Sequence, residues 1–195
     1  MTKKILVSAL VSALACGCLP SLNAYYTEDN VVFMEKLLGA WGEPGAAPAW
    51  EVSRGSGKTY RLIQTDEGGN RGYFDGHLFK AGDTLLLDLY PREEGMARLN
   101  KVMRLQLVPT HLVMRIEHTE PRLKLSFLNP DWLKDYLEEN PGALAHEKVA
   151  DTILLTAQPN ELQDFLKAHA ATPDAFKNFA ELARCVCGES PPGKE

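Results

Sequence analysis

The side chains best able to do chemistry are five histidines, four cysteines and a few paired carboxylates, and their spacing decides what they can do. His77, His111, His118, His146 and His169 form no His-x-x-x-His pair, and no two lie within four residues of each other. His118 with Glu120, or His146 with Glu147, could share a site. Adjacent strand residues point to opposite faces, however, and a metal needs three or four converging ligands. No metal site and no cofactor are expected. Glu93-Glu94 and Glu138-Glu139 adjoin turns or a helix end, where acids are solvated. Hydrolysis would need carboxylates facing each other across a pocket. No Gly-x-Ser-x-Gly nucleophile elbow is present. Gly55-Ser56-Gly57-Lys58-Thr59 ends like a phosphate-binding loop. Val52 stands where the first glycine belongs, and a strand pattern follows instead of a helix, so the segment reads as a hairpin turn. Cys185-Val186-Cys187 would close only a tight disulfide ring and lacks the helix-borne Cys-x-x-Cys context that lowers a thiol pKa. No catalytic residue is assigned, and the reading leans away from an enzyme.

The remaining cysteines, Cys16 and Cys18, end what reads as an export signal over residues 1–18. Lys3 and Lys4 make a positive start, and Ile5 to Ala15 an apolar run. That run is too short to cross a hydrocarbon core of roughly 30 Å as a helix. Two processing routes compete. Cleavage after Ala24 would release a soluble protein; a lipobox would acylate Cys18 or Cys16 as the first mature residue. Leu19 is not the aspartate that typically retains lipoproteins at an inner membrane. This points to the outer membrane, on its periplasmic side.

The elements that must position these groups are mostly strands. Residues 19–34 read as a tether. Short alternating runs then recur between turn residues: 50–54 and 59–65 around Gly55-Ser56-Gly57, 72–80 and 84–90 around Ala81-Gly82-Asp83, then 103–108, 111–118 and 122–128. Asn129-Pro130-Asp131 opens a helix, 152–156 is a further strand, Pro159 opens a second helix, and Thr172-Pro173 caps a third carrying Phe176, Phe179 and Leu182. Strands this short and tightly joined favour an antiparallel meander closed into a barrel, with helices near the C-terminus, in a single domain over 35–187. Residues 188–195 read as a disordered tail. Loss of Lys3 and Lys4 with the leader takes the formal charge from −5 to −7. That acidic balance argues against nucleic acid.

Gly39-Ala40-Trp41, placed just before the strand series, resembles the Gly-x-Trp of lipocalin-like barrels. The resemblance implies that Trp41 plugs the closed end and that Gly39 lets the chain turn beneath it. Lipocalins usually add an arginine near the last strand to cover the tryptophan; 153–157, read as that strand, has none. Most of the chain also resembles an uncharacterised group of exported bacterial lipoproteins. The matching residues are Gly17-Cys18 before Pro20-Ser21-Leu22, then Leu37-Leu38-Gly39, Leu87-Asp88-Leu89-Tyr90-Pro91, Asp131-Trp132-Leu133, Leu154-Leu155-Thr156-Ala157 and Glu161-Leu162-Gln163. This resemblance implies lipidation at Cys18, with Cys16 the alternative, and carries no activity. The functional expectation is a lipid-anchored, non-enzymatic envelope protein that binds a small apolar ligand inside the barrel. The alternative is a scaffold or interaction protein using the barrel exterior and C-terminal helices. A cavity of roughly 300 Å³ or more would favour the first, and a filled barrel the second.

Overall fold

The computed structural model describes residues 19–185 apart from Gly45 and Arg98. The leader with Cys16 and Cys18, the thiol of Cys187 and the 188–195 tail lie outside the described residues. The chain is mainly β, built around a closed, eight-stranded antiparallel barrel consistent with the lipocalin-like expectation. In chain order the elements are β1 (Gly39–Gly42), β2 (Trp50–Arg54), β3 (Thr59–Thr65), β4 (Arg71–Ala81), β5 (Thr84–Pro91), α1 (Glu93–Met96), α2 (Lys101–Gln106), β6 (Leu112–Thr119) and β7 (Arg122–Leu128). There follow α3 (Pro130–Glu139), β8 (His146–Val149), β9 (Thr152–Leu155), α4 (Pro159–His169) and β10 (Phe176–Arg184). Strands β1 to β7 meander, and β10 closes the ring between β7 and β1. Among the described residues no helix is long and apolar enough to cross a membrane.

Strict alternation along the strands divides the apolar residues between two cores. Leu62, Leu78, Leu87, Leu89, Met114 and Leu125 point inward and pack with Trp41 and Trp50. Their neighbours Phe79, Leu86, Val113 and Leu128 point outward and are covered by residues 19–31, the β8–β9 hairpin, α3 and α4. The helices are placed by their starts. The Asn129 side chain accepts from the Asp131 backbone N–H, and Pro130 needs no partner for its nitrogen. Pro159 follows a capping box made by Gln158 and Glu161.

Four sequence expectations change. Residues 19–34 are not a tether: Leu19, Tyr25 and Val31 are buried, and Ser21 exchanges backbone hydrogen bonds with His111. Residues 103–108 lie in α2 and the chain after it, not in a strand. The strand at 152–155 belongs to a separate hairpin with β8, outside the barrel. The expected third helix is β10, the strand that closes the barrel.

Candidate functional site

The barrel interior is filled by side chains. Trp50, Tyr60, Leu62, Leu87, Met114 and Leu123 are among those surrounding about 20 Å³ of free space, wholly apolar in lining. That is room for about one water, far below the roughly 300 Å³ of a small-molecule pocket. Even Gly76 faces no void, since a Cβ there would come within 2.4 Å of Leu62 Cδ1. Leu87 and Leu89, two residues apart on β5, are buried in this core, with Leu85 partly buried against it.

One end of the barrel is closed by Trp41. Its indole is fully buried and donates through Nε1 to the Leu37 carbonyl at 2.9 Å. The arginine that 153–157 does not supply is Arg184, at the end of β10. Its guanidinium carbon lies 4.4 Å from the Trp41 ring centroid, and it donates to the carbonyls of Leu38 and Lys36. Gly39 makes room for it: at φ +125° the position favours glycine, and a Cβ would stand 2.8 Å from Arg184 Nη1. His118 meets the indole edge-on at 5.7 Å, and its Nε2 lies 3.5 Å from Glu120. This cluster seals and cross-ties the barrel; it presents no open position to a substrate.

A second polar cluster sits on the outer face of β4 to β6. Asp88, at 0% exposure, accepts from the Tyr25 backbone N–H at 2.9 Å and from His111 Nδ1 at 2.8 Å. His77, its cross-strand partner in β4, stacks on Tyr26 at 4.3 Å and contacts Thr59 Oγ1 through Nε2. Asp88 and His111 form the orienting half of a nucleophilic triad. Among the described residues no serine, threonine or cysteine is hydrogen-bonded to the His111 ring to complete it. Burial, with the Asp88 charge adding, raises the phenol pKa values of Tyr25 and Tyr26, the latter to about 12. Both phenols therefore stay neutral, and the cluster works as a clasp that fastens residues 19–31 to the barrel.

His77 makes the clasp sensitive to acid. Burial holds its imidazole below the usual histidine range, against the opposing pull of Asp88. The unfolded chain takes up a proton near pH 6.5 that the folded chain resists, so stability falls as the pH drops below that value. His169, also lowered by burial, acts with the same sign. His77→Gln is expected to lessen the loss of thermal stability between about pH 7.5 and pH 5. Calorimetric scans across that range check this, and an unchanged slope would place the sensitivity elsewhere.

The other expected positions are scattered. Among the described residues no group of three or more His, Cys, Asp and Glu side chains is placed to hold a metal. His146 Nδ1 lies 2.8 Å from the Leu144 carbonyl oxygen, and His169 contacts Tyr136 Oη at 3.2 Å. Glu94 pairs with Arg92, and Glu138 approaches Lys134 at 3.9 Å across one helical turn. Gly55 to Thr59 is the β2–β3 turn, where Lys58 donates to the Val31 carbonyl. The Cys185 backbone N–H bonds to the Ala40 carbonyl.

Two features remain on the exterior. Between α3 and α4 lies an open groove of about 490 Å³, lined by Tyr136, Leu144, Phe165, His169 and the carboxylates of Glu161 and Asp164, among others. Trp132 stacks on Tyr136 behind it. At the end of the barrel opposite Trp41, the β5–β6 connection exposes a run of large apolar side chains. Sequence reading missed Arg184 and the clasp. The signal for the clasp was a lone acid, Asp88, within Leu85-Leu86-Leu87-Asp88-Leu89, since a carboxylate in such a strand must find donors. No family model, curated protein or solved structure matches the chain.

Proposed function

We propose that this is a lipid-anchored, non-enzymatic interaction protein of the bacterial cell envelope that works through the outside of its barrel. The observation that carries this reading is the filled interior: about 20 Å³ of free space offers no seat to a small apolar guest. Binding inside would require displacing packed side chains such as Leu62 and Met114, at roughly 2–5 kcal/mol for each large side chain driven out of the core. The exterior, by contrast, carries the aromatic groove between α3 and α4, with carboxylates at its rim suited to a cationic or amide-rich partner segment. The anchor at Cys18 supplies location, and the barrel supplies a rigid mount.

The test compares inside with outside. Protein purified from its bacterial host is denatured and extracted with organic solvent, and the extract is weighed against protein by mass spectrometry. In parallel, a photo-crosslinking residue replaces Ala143, exposed at the edge of the groove, or Asp83 in the distant β4–β5 turn. The expected result is no stoichiometric apolar compound, together with a discrete crosslinked product from position 143 only. A stoichiometric apolar compound, or equal crosslinking from both positions, would overturn the reading.

A further inference from the structure

Nine large apolar side chains are exposed among the described residues, and six of them fall within ten consecutive positions: Leu99, Val102, Met103, Leu105, Leu107 and Val108. Leu105 is 78% exposed and Val108 70%. They lie in and around α2, a six-residue helix that buries none of its side chains. So short a helix gains little stability by itself, so this apolar surface is not spent on the fold. A clustered exposed patch of this kind marks a contact surface, unlike apolar residues scattered singly.

The charges within the run have one sign. From Gly95 to Ile116 the sequence holds no aspartate or glutamate, while Arg98, Lys101 and Arg104, which fall in or beside the run, are basic. This is a local reversal in a chain whose formal charge is −5. Apolar side chains interleaved with lysine and arginine suit the boundary between acyl chains and anionic headgroups, where the basic side chains snorkel to phosphate.

The membrane is also the surface that an acylated Cys18 would hold within reach of this run. Ser21 is paired with His111 through two backbone hydrogen bonds. Leu19 lies two residues from Ser21, and Leu107 four residues from His111. At about 3.5 Å per residue and about 5 Å between paired strands, Leu19 and Leu107 are separated by no more than about 26 Å. Cys18 is one residue beyond Leu19. Because Ser21 and His111 pair antiparallel, Leu19 and Leu107 lead away from the pair in opposite directions, so an acyl anchor and the apolar run would be two separate points of contact. We infer that residues 99–108 form a second membrane contact, inserting at the headgroup level of an anionic leaflet and fixing the tilt of an acyl-anchored barrel. The inference rests on lipidation at Cys18 for its geometry, and the experiment below separates the two.

Acylated full-length protein, carrying Cys185→Ser and Cys187→Ser, is labelled with an environment-sensitive fluorophore at Gln106→Cys or, as control, at Asp83→Cys. Gln106 ends α2, whereas Asp83 lies in a turn at the opposite end of the barrel. The sulfur of an acylated Cys18 is not available to the label. Vesicles of phosphatidylethanolamine and phosphatidylglycerol carry a headgroup-level nitroxide lipid, and flotation is measured on the same samples. The expected result is flotation with nitroxide quenching at position 106 about threefold or more above that at position 83. Adding Val102→Glu and Leu105→Glu should bring 106 down to the control while flotation persists. Flotation with equal quenching at both positions overturns the inference and leaves the anchor standing. Loss of flotation removes the anchor reading; quenching at 106 on the same vesicles then sustains the contact, and its absence overturns that too. Protection of position 106 in native envelopes but not on protein-free vesicles would assign the patch to a protein and overturn the inference.

Discussion

Replacing Trp41 by alanine is expected to cost about 3–5 kcal/mol, the range for deleting a fully buried aromatic. For a chain of this size that is a fall in melting temperature of about 6–20 °C. The indole does three things at once. It fills the end of the barrel, satisfies the Leu37 carbonyl, and offers its face to Arg184. Arg184→Ala should cost less alone, and the double variant less than the sum of the two, because each residue holds the other in place. Arg184→Lys should not rescue, since an ammonium cannot lie flat on the ring while also reaching the Leu38 and Lys36 carbonyls. Thermal or urea unfolding of the four proteins checks this. Additive losses would mean that the ring and the guanidinium merely lie near each other.

Asp88→Ala is expected to be the next most damaging change. It strands the Tyr25 backbone N–H and the His111 ring nitrogen, at about 1–3 kcal/mol for each orphaned donor. Unlike Trp41→Ala, its effect should be regional. Residues 19–31 should lose amide protection before the barrel does, because the Gln163 side chain, which donates to the Tyr25 carbonyl and accepts from Asn30, becomes their main remaining tie to α4. Asp88→Asn should be milder, since an amide oxygen can still accept from Tyr25. Hydrogen exchange resolved by peptide tests the order of opening; uniform loss across the barrel would contradict it.

The strands were legible wherever alternation was unbroken. The hairpins at 50–65 and 72–90, and the strand at 122–128, stand where turn residues and period-two patterning put them. Legibility failed at β10 for a definable reason. Its register against β7 shifts between Asn178 and Ala180, so the two halves of the strand differ in parity. Phe176 faces the outer core and Leu182 the barrel interior. A bulge thereby turns a two-residue period into the three-residue spacing of Phe176, Phe179 and Leu182, which imitates a helix. The same imitation hides Arg184, because a covering arginine is expected on the last barrel strand and 152–155 is not that strand. At 103–108 the alternation of Met103, Leu105 and Leu107 is genuine but belongs to an uncovered surface, and pattern cannot say what covers an apolar face. Filling of the barrel was invisible for a related reason: the same leucines line a cavity or occupy it according to angles that sequence does not carry.

The late position of β10 has a consequence for how the chain comes to be a barrel at all. It pairs with β7 and β1, and 47 residues separate the end of β7 from its first residue. A chain emerging from its N-terminus can assemble β1 to β7 by adjacent hairpins, each a local and rapid event. It then waits, as an open curved sheet with β1 and β7 exposing unpaired backbone, until β10 is available to pair. Edges of that kind recruit other chains. The segment 19–31, which precedes β1, meanwhile finds its resting place against α4, which follows β7. Residues 19–31 and the closing strand thus settle together, since each waits on chain that follows β7.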